Sequence, residues 1–163
     1  MKKKNGSAAY TARAAIIAAM YVVLTYLTNL AGLASGVIQV RVSEALTVLP
    51  VFTPAAVPGL FLGCLLANIL TGCAALDVVF GSLATLIGAV GTRLVGKKNK
   101  YLAPVPPIIA NTLIIPFVLA YVYHFDGSIL YFMLTVGAGE LISCGLLGTL
   151  LTYALSKRGI KEI

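Results

Sequence analysis

Apolar stretches long enough to cross a lipid bilayer fill this sequence, and its positive charges gather in three clusters around and between them. Lys2, Lys3, Lys4 and Arg13 stand at the amino end, Arg93, Lys97, Lys98 and Lys100 in the middle, and Lys157, Arg158 and Lys161 at the carboxyl end. Of the basic residues only Arg41 falls outside the clusters. Charged residues make up 10% of the 163 and apolar ones 60%, for a mean hydropathy of +0.99. A soluble domain carries roughly 25% charge and has to cover its surface with polar groups. An ordinary cytosolic enzyme, a disordered tail and a secreted disulfide scaffold are therefore excluded. The long runs also lack the short alternation of an outer-membrane barrel. What remains is an all-α integral membrane protein, expected as a single domain over 1–163, with no repeat, low-complexity tract or linker.

The formal charge of +7 would point to nucleic acid in a soluble chain. Here the basic residues lack interleaved aromatics of the kind that bind nucleic acid. They sit instead where the positive-inside rule puts cytoplasmic ends, and no nucleic-acid partner is expected. Turn signals at Gly32–Gly36, Pro50–Pro58, Gly72–Ala75, Lys97–Lys100 and His124–Ser128 divide the chain into six predicted helices. These cover 10–30, 37–50, 55–73, 77–96, 103–123 and 129–156. Six crossings place both termini and the 97–100 loop on one side, so the count and the charge rule agree on cytoplasmic termini. The pair over 37–73 is short: fourteen α-helical residues reach only ~21 Å. A re-entrant hairpin there would leave the parity unchanged. A signal peptide ending at Gly32-Leu33-Ala34 is disfavoured, because the first apolar run exceeds the ~7–15 residues of a signal core.

The informative residues are the polar ones inside apolar helices. A charged side chain near a helix centre costs ~2.5–3.5 kcal/mol on insertion scales, so it needs a partner, a wet cavity or a ligand. The candidates are Arg41, Glu44, Asn68, Asp77, Asn111 and Glu140. Arg41 and Glu44, three apart, share a face if helical. Under the six-crossing topology none of the set lies near the cytoplasmic surface, as expected of an outward-facing binding cavity. Three carboxylates, two amides and one guanidinium suit a small polar ligand rich in N–H donors and suit a phosphate poorly. The competing structural roles are a buried Arg41–Glu140 ion pair, Asp77 as a helix N-cap, and Asn68 and Asn111 as interhelical ties worth ~0.6 kcal/mol each.

Other motifs carry less. Gly91-Thr92-Arg93-Leu94-Val95-Gly96-Lys97-Lys98 approaches a phosphate-binding loop, but Lys98 replaces the magnesium-binding Ser or Thr and the stretch ends a helix. ATP hydrolysis by this chain is not expected. Cys64, Cys73 and Cys144 show no metal spacing and are expected to pack helices, with no metal or cofactor required. His124 reads as an interfacial side chain near Asp126. Tyr121, Tyr123, Phe125, Tyr131 and Phe132 read as an interfacial belt, one of which is available to stack on a flat ligand. No nucleophile–base arrangement appears, so an intramembrane enzyme is not favoured. Gly59 and Gly63 form a GxxxG, which favours close helix contact. On the first helix Ala8, Ala12, Ala15 and Ala19 form a small-residue stripe, widened by Ala14 and Ala18, that serves either bundle packing or docking of a partner subunit.

Arg41-Val-Ser-Glu44-Ala-Leu, Gly63-Cys-Leu-Leu-Ala-Asn68, Asp77-Val-Val-Phe-Gly81-Ser82-Leu-Ala-Thr85-Leu, and the later Asn111 and Gly139-Glu140 resemble the QueT family of queuosine-precursor transporters. The resemblance runs from about residue 8 to 156. It implies a six-helix bundle of the type of the substrate-binding S components of energy-coupling factor (ECF) importers. It implies a 7-deazaguanine ligand such as preQ0, preQ1 or queuine, held by the six polar residues at the extracellular side of a prokaryotic cell membrane. It also implies a membrane coupling protein and two ATPase subunits as partners, with Ala12, Ala15 and Ala19 docking onto the coupling protein. An S component for another vitamin, or a proton-coupled secondary transporter acting alone through Asp77 or Glu140, remain the alternatives.

Overall fold

The structure, a computed structural model, describes residues 2–33 and 39–159, with side chains from Ser7 onward. The side chains of Lys2–Lys4, the Ala34–Gly36 part of the first turn, the first two residues of the 37–50 segment, and Lys161 lie outside the described residues. Among the described residues the α-helical elements are α1 (Lys2–Leu30), α2 (Ala56–Leu70), α3 (Ala75–Gly96), α4 (Val105–Tyr121), α5 (Ile129–Glu140) and α6 (Thr149–Lys157). A 3₁₀ helix, Val42–Val51, lies between α1 and α2, and a π-helical stretch, Leu141–Gly148, joins α5 to α6 into one continuous helix. Among the described residues four helices are long and apolar enough to cross a membrane: Ser7–Leu30, Ala75–Gly96, Lys100–Tyr121 and Ile129–Lys157. Val42–Val51 and Ala56–Leu70 are shorter apolar helices.

Polarity runs inside out. Leu27, Leu30, Leu70, Ile87, Leu94, Leu134 and Leu146 are exposed, whereas Ser43, Glu44, Thr47, Asn68, Asp77, Asn111 and Glu140 are buried. In water such a surface would aggregate; in hydrocarbon it is the stable arrangement, because interior polar groups find partners there.

Small residues set the helix spacing. A Cβ on Gly59 would come within 2.7 Å of the Ala14 carbonyl, and one on Gly63 within 2.8 Å of the Tyr21 Cβ. The GxxxG of α2 is thus the contact with α1, and it uses Ala14 and Ala18, both buried. Ala8, Ala12, Ala15 and Ala19 face outward instead.

The predicted 37–50 helix departs from expectation. Its described part is extended through Arg41 (φ −111°, ψ 104°), and the helix that follows is 3₁₀. The Arg41 N–H donates to Ser143 Oγ at 3.1 Å, so a contact from far along the chain withdraws it from any helical turn. Tighter winding offsets the shorter run: ten residues at ~2.0 Å each reach ~20 Å. This helix is buried over most of its length, and its far end meets α3 where Arg93 Nη1 donates to the Pro50 carbonyl at 3.0 Å.

Candidate functional site

All six polar candidates line one or both of two adjoining chambers. The outer one, about 310 Å³, is lined by Asn68 and Thr71 from the end of α2, Asp77 from the start of α3, Tyr123 and Phe125 after α4, and Thr25 and Asn29 late in α1, among others. The inner one, about 40 Å³, is lined by Glu44, Cys64, Thr85, Asn111 and Glu140, among others. Gln39, Arg41 and Ile115 border both. The inner chamber is one to two helical turns deeper, since Cys64 precedes Asn68 on α2 and Thr85 follows Asp77 on α3. The outer chamber opens where α1, α2 and α4 end and α3 begins. At the opposite end of the bundle Lys97 and Lys98 follow α3, Lys157 closes α6 and Arg158 follows it.

Each acid is held by a neighbour from another element. Glu44, 3% exposed, accepts a hydrogen bond at Oε1 from the Tyr21 hydroxyl on α1. Its Oε2 is buried with no hydrogen-bond partner among the described residues. Glu140 Oε1 accepts from Asn111 Nδ2 at 3.0 Å, and Oε2 from the Cys144 thiol at 3.1 Å. Asp77 Oδ2 accepts from the Tyr123 hydroxyl at 2.7 Å, and that same hydroxyl accepts the Ala74 N–H at 3.2 Å. Burial and then the neighbouring carboxylate push the Tyr123 phenol above its ordinary pKa, so it remains a donor.

Several local expectations are corrected. Arg41 precedes the 3₁₀ helix and does not share a helical face with Glu44, although both line the inner chamber. No Arg41–Glu140 ion pair forms among the described residues; Glu140 is held by Asn111 and Cys144 instead. Asp77 is the third residue of α3 and not its N-cap, because the helix starts two residues earlier at Ala75. Asn111 does tie α4 to α5, through Glu140. Cys64 and Cys73 line the chambers and Cys144 bonds a carboxylate, so the cysteines do more than pack helices. Glu44, Glu140 and Cys144 each bring one donor atom within 4.8 Å of the others, a grouping that sequence spacing does not show.

Sequence reasoning missed Gln39, Tyr21 and Ser143. Gly139 packs its α-carbon against the Gln39 carbonyl, leaving no room for a Cβ. That contact and the Ser143 bond hold the extended segment bearing Arg41 against the helix bearing Glu140. The π-helical stretch begins immediately after Glu140, and such stretches accompany functional sites in many helices. Of the expected aromatic belt, Tyr123 and Phe125 turn toward the outer chamber, with ring centroids 5.7 Å apart. Tyr121 and Tyr131 are exposed.

The arrangement is a polar, solvent-reachable pair of chambers with an excess of acceptors inside an apolar bundle. It has the chemistry to desolvate and hold a small ligand rich in N–H donors. A family model described as QueT transporter matches residues 11–157. Over 73 residues the chain is 38% identical to the queuosine precursor transporter QueT of Lactococcus lactis subsp. cremoris (strain MG1363). That stretch covers 45% of this chain and 43% of the relative, so less than half of the relative's length is matched. No solved structure matches the chain.

Proposed function

The chain belongs to the QueT transporter family, and on that premise we propose that it is a membrane-embedded substrate-binding subunit that captures a 7-deazaguanine queuosine precursor from outside the cell. Its role in this reading is that of an ECF S component. Six segments enter the bilayer, both termini are cytoplasmic, and 1–163 works as one domain. A coupling membrane protein and two ATPase subunits supply the energy for uptake.

One observation carries the reading: all six costly polar side chains border two joined chambers instead of scattering among separate helix contacts. Burying unpaired acceptors such as Glu44 Oε2 is unfavourable, and a ligand rich in N–H groups offsets that cost. The amidine-like edge of a deazaguanine offers a ring N–H and an exocyclic NH₂, which one carboxylate can accept together. The outward face of Ala12, Ala15 and Ala19 supports docking of a helical partner, since small residues permit close approach.

Replacing Glu44 or Glu140 by Ala is expected to weaken deazaguanine binding to the purified protein while a folded bundle persists. Unchanged affinity in both variants removes these residues from the site. Growth rescue of a cell that cannot make queuosine precursors, on supplied precursor and with the coupling module present, tests transport. Uptake by the chain alone in liposomes under a proton gradient would replace the S-component role by secondary transport.

A further inference from the structure

The two chambers differ in size and in what they offer, and the difference orients a ligand. The inner chamber measures about 40 Å³. One water-sized group needs roughly 10–15 Å³ of such space, so the inner chamber takes a few heavy atoms. The outer chamber, at about 310 Å³, has room for a flat bicyclic base. A ligand reaching both must put its small end inward.

The inner walls are rich in acceptors, although Arg41 and Gln39 bring donors to the border. Glu44 is buried with Oε2 unpartnered among the described residues. Asn111 gives one N–H of its Nδ2 to Glu140, and its carbonyl oxygen is an acceptor. Glu140 receives one bond on each carboxylate oxygen and keeps further lone pairs. Cys64 accepts from Asn68 Nδ2 at 3.6 Å, and the Thr85 hydroxyl is turned to the Gly81 carbonyl at 3.1 Å. Across both chambers the carboxyl groups of Glu44, Asp77 and Glu140 outnumber the one guanidinium, Arg41. A primary ammonium has three donors and no acceptor, is compact, and favours the ionised form of a carboxyl group beside it.

We propose that the inner chamber is a cation subsite that seats the basic amine of the ligand, while the flat base stays in the outer chamber with its N–H edge toward Asp77 and Asn68 and its face beside Tyr123 and Phe125. This rests on the reading of the chain as a deazaguanine-binding subunit and deepens it: the preferred precursor carries an amine, and Glu140 with Glu44 selects for it.

The test titrates the purified full chain with 7-deazaguanine and its 7-cyano and 7-aminomethyl derivatives, using wild type, Glu140→Gln, Glu44→Gln and Asp77→Asn. Wild type is expected to bind the aminomethyl compound roughly tenfold or more tightly than the cyano compound, as a charge-assisted contact implies. Glu140→Gln or Glu44→Gln brings that ratio toward one. Asp77→Asn weakens all three ligands by a similar factor and keeps the ratio. Equal affinities in wild type, a requirement of no folded variant, overturn the subsite. So does a ratio that survives Glu140→Gln and Glu44→Gln but collapses in Asp77→Asn, which is the opposite seating. If wild type binds none of the three, the functional reading itself fails and takes this one with it.

Discussion

The Tyr21–Glu44 contact permits a test that needs no ligand. Tyr21 is 1% exposed and Glu44 3% exposed, and the phenol is the donor to Glu44 Oε1. Because Oε2 already lacks a partner among the described residues, Tyr21→Phe leaves neither oxygen of a buried carboxylate with a described donor. The ring, and its packing against Gly63, is retained, so the loss is almost wholly the hydrogen bond. A hydrogen bond to a charged group is worth about 1.5–3 kcal/mol. At roughly 2–4 °C per kcal/mol for a chain of this size, Tm should fall by about 3–12 °C. Thermal unfolding of wild type, Tyr21→Phe, Glu44→Gln and the double variant in one detergent forms a double-mutant cycle. With Gln at 44 the phenol partners a neutral group, worth about 0.5–1.5 kcal/mol, so the second substitution should cost less than the first did alone. Single effects that add within about 0.5 kcal/mol would refute the claim that this hydroxyl holds the Glu44 carboxyl group.

Gly139→Ala drives a methyl into the Gln39 carbonyl; overpacking of this kind costs about 1–3 kcal/mol. Because Gln39 and Arg41 border both chambers, deazaguanine affinity should drop along with Tm. Affinity equal to wild type would show that the extended segment does not shape the site. Ala15→Leu with Ala19→Leu places bulk on an exposed face of α1, so affinity for ligand should hold while assembly with a coupling module declines. A pull-down recovering the normal complex would refute that docking face.

The site was legible to the extent that insertion cost makes it so. Arg41, Glu44, Asn68, Asp77, Asn111 and Glu140 announce themselves because hydrocarbon does not tolerate them unpartnered, and the fold brings them to adjoining chambers. Their partners were hidden. Tyr21 and Cys144 belong to residue types that pack ordinary helices, and each meets its acid through tertiary structure or an irregular turn. The extended backbone at Arg41 depends on a hydroxyl 102 residues away, which no local pattern reveals. Hydropathy located the helices well, with α3 and the α5–α6 helix starting within two residues of expectation. It carries no signal separating α, 3₁₀ and π winding, because an apolar run reads the same in all three.

The central claim is that these chambers hold a queuosine precursor. Small-molecule mass spectrometry of protein purified gently from cells tests it most directly. The account predicts a 7-deazaguanine released on denaturation at about one per chain, and its loss from Glu44→Ala and Glu140→Ala protein. A different vitamin in its place, or the same deazaguanine retained at full occupancy in both variants, would contradict it.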